Sequence, residues 1–146
     1  MMQMKKSLYI ISAVLLLLLG SCTKEESSSR IAGQWNLTDL KLTTKSAEIG
    51  SQKVDIYIDF KNDNSYEMYQ MLGQGRYRYF KGAYKLEGDI LKGNYHEPNS
   101  VSEWGNSYRI ELSGDKLIMT ALVESSDVYT YTKTTIPDEV KSQAVR

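Results

Sequence analysis

Val54-Asp55-Ile56-Tyr57-Ile58-Asp59-Phe60-Lys61 alternates without a break: Val54, Ile56, Ile58 and Phe60 fall on one side of an extended chain, Asp55, Tyr57, Asp59 and Lys61 on the other. A period of two with one wet face predicts a strand that covers a core on one side only. The pattern recurs along the chain after residue 31. Residues 35–43, 54–61, 66–72, 77–87, 90–96, 108–113, 117–124 and 128–135 each read as a strand. In the first of them the alternation is disturbed around Asp39, which predicts a bulge.

The links carry turn chemistry. Asn62-Asp63-Asn64, Glu87-Gly88-Asp89, Ser113-Gly114-Asp115 and Ser125-Ser126-Asp127 are tight polar turns, and Gly73 and Gly75 flank a fifth. Strands joined in sequence by hairpins favour an antiparallel meander, and a meander of eight can close on itself and so abolish its edges. The expected fold is all-β: an eight-stranded antiparallel up-and-down barrel over residues 31–136. Residues 137–146 form a short helix or tail. Pro137 takes the first helical position, Asp138 and Glu139 sit in the first turn, and Ile136, Val140 and Ala144 follow at spacing four. This helix is expected on the barrel near its closed end.

The other strongly patterned stretch is N-terminal. Lys5 and Lys6 precede an apolar run from Leu8 to Leu19, which ends in Gly20-Ser21-Cys22. About twelve apolar residues are too few to span a bilayer but suit an export signal. Small residues directly before a lone cysteine resemble the lipobox of bacterial lipoproteins. That resemblance implies a signal peptide over 1–21 that is removed, and acylation of Cys22, which becomes the first residue. Acyl chains add roughly 0.8 kcal/mol per buried methylene, so a multiply acylated Cys22 would hold the protein on a membrane without a transmembrane helix. Residues 22–30, with Ser27-Ser28-Ser29 at their centre, read as a flexible tether. The expected location is the outer membrane, lipid-anchored, on its periplasmic face or at the cell surface. Glu25 and Glu26, soon after Cys22, resemble surface-export signals and equally suit a plain solvated linker.

Composition excludes several classes. Loss of residues 1–21 leaves sixteen basic against eighteen acidic side chains, a charge of about −2, so nucleic acid is not an expected partner. The single cysteine excludes a disulfide framework and a thiolate zinc site. No cofactor or metal is called for. His96 and Glu97, adjacent at a strand end, read as solvated, and Asp55, Asp59 and Glu111 lie on wet faces where they cannot converge. Gly73-Gln74-Gly75 opens no helix, so it is a turn and no phosphate loop. The chain is not expected to be an enzyme.

Three further motifs carry a family resemblance: Gly33-x-Trp35 at the first strand, Leu86-x-Gly88-Asp89-x-Leu91-x-Gly93-x-Tyr95 across the middle hairpin, and Tyr129-x-Tyr131-x-Lys133 near the end. Together they look like the lipocalin-like domains of bacterial envelope lipoproteins, over roughly residues 31–136. The resemblance implies that Gly33, Trp35 and Lys133 form the closed end, with the tryptophan as plug and the lysine stacked over it. The Thr-Asp-Tyr sequence of lipocalins proper is missing from the turn after residue 113, so the similarity is to the broad superfamily.

In such a barrel alternate links share an end. The two longest, residues 44–52 and 97–106, fall together, and long loops grouped on a rigid scaffold make a binding mouth. The tether enters at the opposite end, so the mouth is expected to face away from the membrane. Tyr84, Tyr95 and Tyr108 share the inward face, and with Met68 and Met119 they suit an amphipathic or hydrophobic ligand. Trp104, in the second long link, is a lid, a ligand platform or a side chain packed on the rim. A second reading stands beside this one: inward side chains can fill an eight-stranded barrel, leaving a structural module that binds another envelope protein through its outer surface or loops.

Overall fold

The computed structural model describes residues 30–43, 54–123 and 126–146. Its elements are β1 (Gly33–Lys41), β2 (Val54–Phe60), β3 (Ser65–Leu72), β4 (Arg78–Glu87), β5 (Ile90–Glu97), β6 (Ser100–Glu103), β7 (Tyr108–Ser113), β8 (Lys116–Ala121), β9 (Val128–Lys133) and α1 (Asp138–Gln143). The hydrogen-bonded order runs β4-β3-β2-β1-β9-β8-β7-β5-β6, and β4 also pairs with β5. The ring therefore closes through eight antiparallel strands, as the alternation predicts. The signal, Cys22 and the tether up to residue 29 lie outside the described residues, as does the long link at 44–52.

β2 shows how the pattern works. Ile56, Ile58 and Phe60 are buried, while Asp55, Tyr57 and Asp59 between them are only half-buried. They meet Leu91, Ile110, Leu117 and Tyr131 from β5, β7, β8 and β9 in one core. Leu91 and Leu117 are wholly enclosed, which stabilises the fold by about 1.5–3 kcal/mol each. The bulge is present in β1: pairing jumps from Leu37↔Tyr131 to Asp39↔Thr130, leaving Thr38 as the extra residue. The Thr38 hydroxyl lies 3.2 Å from the Thr130 carbonyl, to which it donates, and 2.9 Å from the Thr132 hydroxyl. Gly88 and Gly114 supply the positive φ (62° and 60°) of the two-residue turns after β4 and β7.

One link differs from expectation. Residues 97–106 do not form an open loop, because Ser100–Glu103 folds back as β6 on the end of β5, from Asn94↔Glu103 to Glu97↔Ser100. β7 pairs with the start of the same strand, at Ile90↔Arg109 and Leu91↔Tyr108. Thus β6 and β7 lie in line along one edge of β5, interrupted by residues 104–107. All four residues of β6 are exposed, so there is no buried face for a period of two to reveal.

The helix also differs in place. Ile136 N–H donates to Gln34 Oε1 (2.7 Å) at the closed end, and Ile136 and Val140 then bury against Tyr69, with Tyr57, Tyr77 and Tyr79 around them. Tyr57, Tyr69 and Tyr79 occupy outward positions of β2, β3 and β4, and Tyr77 directly precedes β4, so α1 climbs the outer wall away from the closed end. The chain reaches the opposite rim, where Val145 forms a parallel bridge to Arg78. Tyr79 N–H donates to the Val145 carbonyl and Val145 N–H to the Tyr77 carbonyl, both at 2.9 Å.

Candidate functional site: a lateral cleft and a tyrosine-lined cavity

β4 and β5 pair only from Tyr84↔Gly93 to Glu87↔Ile90. Beyond that point Asn94 acts as a wedge. Its side-chain Oδ1 accepts the Ala83 N–H at 3.0 Å, and its carbonyl comes so close to Gly82 that a Cβ there would lie 1.8 Å from the oxygen. Only glycine allows that approach. The strands splay, and a cleft of about 780 Å³ opens between them at the end away from the Gly88 turn. Tyr79, Phe80, Tyr95 and Pro98 give it aromatic and apolar walls, with Lys81, His96, Glu97 and Arg146 along the edges. The Arg146 guanidinium lies 5.4 Å from the Tyr79 ring centre, a cation–π distance.

Inside the barrel, among the described residues, the space around the tyrosine cluster is small. A cavity of about 70 Å³ is lined by Ile58, Met68 and Met119 and by the aromatic residues Tyr66, Tyr95, Trp104, Tyr108, Tyr129 and Tyr131. Tyr95 lines both spaces, and its ring meets Phe80 at 5.9 Å, so this pair divides the cleft from the cavity. The interruption between β6 and β7 carries Trp104 inward over Gly93. A Cβ at 93 would sit 2.5 Å from the indole, so glycine is what admits the ring. Trp104 N–H donates to the Gly93 carbonyl (2.9 Å), the indole Nε1–H donates to Tyr66 Oη (2.9 Å), and Tyr66 Oη–H donates to the Asn94 carbonyl (2.8 Å). Trp104 also stands edge-on to Tyr66 and Tyr108, at 5.2 and 6.1 Å. In the same interruption Asn106 Oδ1 is buried without a hydrogen-bond partner.

Burial sets the electrostatics. It pushes the Tyr108 hydroxyl up to about 12, aided by Tyr129, Tyr95 and Asp127 nearby. Burial likewise drives Tyr66 and Tyr131 well above the ordinary tyrosine range. The lining hydroxyls are therefore neutral hydrogen-bond donors at any physiological pH.

Among the residues singled out from sequence as ligand-lining, Met68, Tyr95, Trp104, Tyr108 and Met119 come together around the cavity. Tyr84 does not. It stands where β4 and β5 are still paired, with its hydroxyl donating to the Lys61 carbonyl (2.7 Å) and its ring edge-on to Phe60 at 4.9 Å. Alternation gave its face correctly, but height along the strand decides which inward residue reaches the cavity. Tyr66, Tyr129 and Tyr131 share the inward parity and were readable by it; Tyr79, Phe80 and Arg146 join the site only because the strands part and the chain returns.

At the other end Trp35 is buried, its Nε1–H donating to the Ile31 carbonyl (2.9 Å), and Lys133 Nζ lies 5.5 Å from its ring centre. Gly33 has φ of 132° and faces the Lys133 side chain. The Arg30 guanidinium donates to the Gly88 carbonyl at 2.8 Å. Cys22 lies outside the described residues. Among the described residues no group of three His, Cys, Asp or Glu side chains gathers to hold a metal, and no helix is long and apolar enough to cross a membrane.

Comparison with solved structures finds fatty-acid-binding protein 1 of Echinococcus granulosus (15% identity, TM-score 0.42, covering 73% of this chain and 99% of that one). It also finds As-p18, an extracellular fatty acid binding protein (12% identity, TM-score 0.44, covering 74% and 99%). No curated protein matches the chain. The family model described as the lipocalin-like domain matches residues 31–119, from the closed-end plug into β8. Through that match the chain belongs to the lipocalin-like domain family.

Proposed function

We propose that this lipocalin-like barrel binds a small amphipathic or hydrophobic molecule and holds it, chemically unchanged, in the cleft between β4 and β5, with one end against the tyrosine-lined cavity. One contrast carries the reading: about 780 Å³ in the cleft against about 70 Å³ inside. Pockets for small organic ligands run to roughly 300–1,000 Å³, a range that the cleft reaches and the tyrosine-lined cavity does not. The binding mouth expected at the long loops thus becomes a lateral opening at the same end of the barrel. Catalysis has no part in this reading, since His96 and Glu97 are both exposed, side by side at the end of β5.

We further propose that Cys22 is lipidated and anchors the chain in the outer membrane, on the periplasmic face or at the cell surface. The support is the N-terminal sequence. Because β1 starts at the closed end, a tether leaving there would turn the cleft away from the membrane.

The small interior favours a second reading, a filled barrel that serves as an interaction module for another envelope protein. Mass spectrometry of a solvent extract from the purified full-length protein separates the two. A stoichiometric small molecule supports ligand uptake. An empty extract, together with failure to bind the uncharged probe N-phenyl-1-naphthylamine, leaves the second reading.

A further inference from the structure

The chemistry of the cavity narrows the ligand class. This inference rests on the cleft reading above and asks which polar group a molecule in the cleft would present to the interior. The lining holds no charged side chain: it is five tyrosines, one tryptophan, two methionines and an isoleucine. Tyr66 is already committed, to Trp104 and Asn94. The hydroxyls of Tyr95, Tyr108, Tyr129 and Tyr131 make no hydrogen bond to another protein group among the described residues, and none of them is a sealed unpaired atom, so each is accessible from the cavity. All four line the same small cavity. The rings stand as upright walls, with Tyr108 and Tyr129 edge-on at 5.8 Å and Tyr95 tilted against Trp104 at 6.5 Å. Among the described residues the charged group that acts on Tyr108 and Tyr129 is an acid, Asp127, whose Oδ1 accepts from Thr43 N and Oγ1 at the rim.

We propose that this cavity is a subsite for an uncharged polar head, a hydroxyl or carbonyl, and that it rejects carboxylate, sulfate and phosphate heads. A neutral oxygen entering the cavity exchanges its water hydrogen bonds for bonds to phenol hydroxyls that no protein group among the described residues already occupies. An anion entering the same space loses its hydration and meets no cation among the described residues, and Asp127 opposes it further. Lys81 and Arg146 do not relieve that cost, because they stand on the outer side of the Phe80 and Tyr95 partition. The apolar tail then lies in the cleft against Tyr79, Phe80 and Pro98. Tyr95 borders both compartments and is the residue that head and tail pass on either side.

Matched eight-carbon probes test this on the full-length protein: octan-1-ol, octanoate, octyltrimethylammonium and octane. Binding is read from Trp104 fluorescence after subtraction of a Trp104→Phe variant, in which the remaining Trp35 reports the closed end. The expected result is that octan-1-ol binds about tenfold or more tighter than octanoate or octyltrimethylammonium. In a Tyr108→Phe/Tyr131→Phe variant, which keeps the rings and removes two hydroxyls, octan-1-ol should fall to the affinity of octane while octane is unchanged. Octanoate binding as well as octanol overturns the proposal. Octyltrimethylammonium binding tightest also overturns it, and makes the tyrosines a cage for a cation. Octane binding as well as octanol to the native chain refutes head-group selection while leaving the cleft as a site. Failure of all four to bind removes the cleft reading too.

Discussion

Trp104 rests on Gly93, with the indole filling the place where any other residue would carry its Cβ, 2.5 Å away. Two residues eleven apart in sequence thus fix the inner wall of the site, and the contact explains why an exposed four-residue strand ends in a turn back toward the core. Gly93 and Gly82 have one logic in two places: each lets a neighbour occupy space that a side chain would need.

Gly93→Ala should therefore destabilise the fold by about 1–3 kcal/mol through overpacking, and should push Trp104 toward solvent. Urea unfolding and the Trp emission maximum read the two effects separately. Gly82→Ala should cost more than Gly93→Ala, because the obstructing atom is the Asn94 backbone oxygen and cannot rotate away. Equal or smaller loss at Gly82 would contradict the wedge assigned to Asn94.

At the closed end the plug matters more than its cover. Trp35→Ala should cost about 3–5 kcal/mol by opening the core. Lys133→Met, which removes an exposed cation 5.5 Å from the same ring, should cost no more than about 1 kcal/mol. Denaturation midpoints at one ionic strength compare the pair, and similar losses would mean that the lysine holds the end in place.

Alkaline pH should unfold the barrel cooperatively. Tyr108 and Tyr84 hold their protons up to about 12 by burial, above the ordinary value of about 10. The folded state binds these protons more tightly than the unfolded chain, so their contribution is fully present below about pH 10 and is lost as pH rises toward 12. Tyrosinate absorbance near 295 nm should rise in a step that coincides with loss of the β-sheet circular dichroism. Gradual ionisation of all tyrosines without unfolding would contradict the burial described.

Cys22→Ser should abolish incorporation of radiolabelled palmitate and remove the chain from the outer-membrane fraction. Labelling and membrane fractionation check it. A Cys22→Ser chain that still takes up palmitate and reaches the outer membrane would remove this lipid anchor.

The barrel was legible because the core strands obey one simple rule, burial on alternate residues, as Ile56, Ile58 and Phe60 do. Turn glycines at 88 and 114 then fixed the hairpins. β6 was hidden because Ser100, Val101, Ser102 and Glu103 are all exposed, so hydrophobic periodicity says nothing about them. The helix was legible as a helix but not by its place, because the outward tyrosines of β2, β3 and β4 resemble a wet face until Ile136 and Val140 cover them. The inner cavity was partly legible from the parity of Met68, Tyr95, Tyr108 and Met119. The cleft was not, because it depends on Gly82 and Asn94 parting a pair of strands, a tertiary effect with no periodic signature.

The most direct test of the cleft is a nuclear magnetic resonance titration of the folded protein with octan-1-ol. Binding between β4 and β5 predicts saturable shifts at the amides of Tyr79, Phe80, Tyr95 and His96 and at the Trp104 indole, with Trp35 unmoved. Shifts that do not saturate, or that cluster on the closed end or on α1, would contradict it.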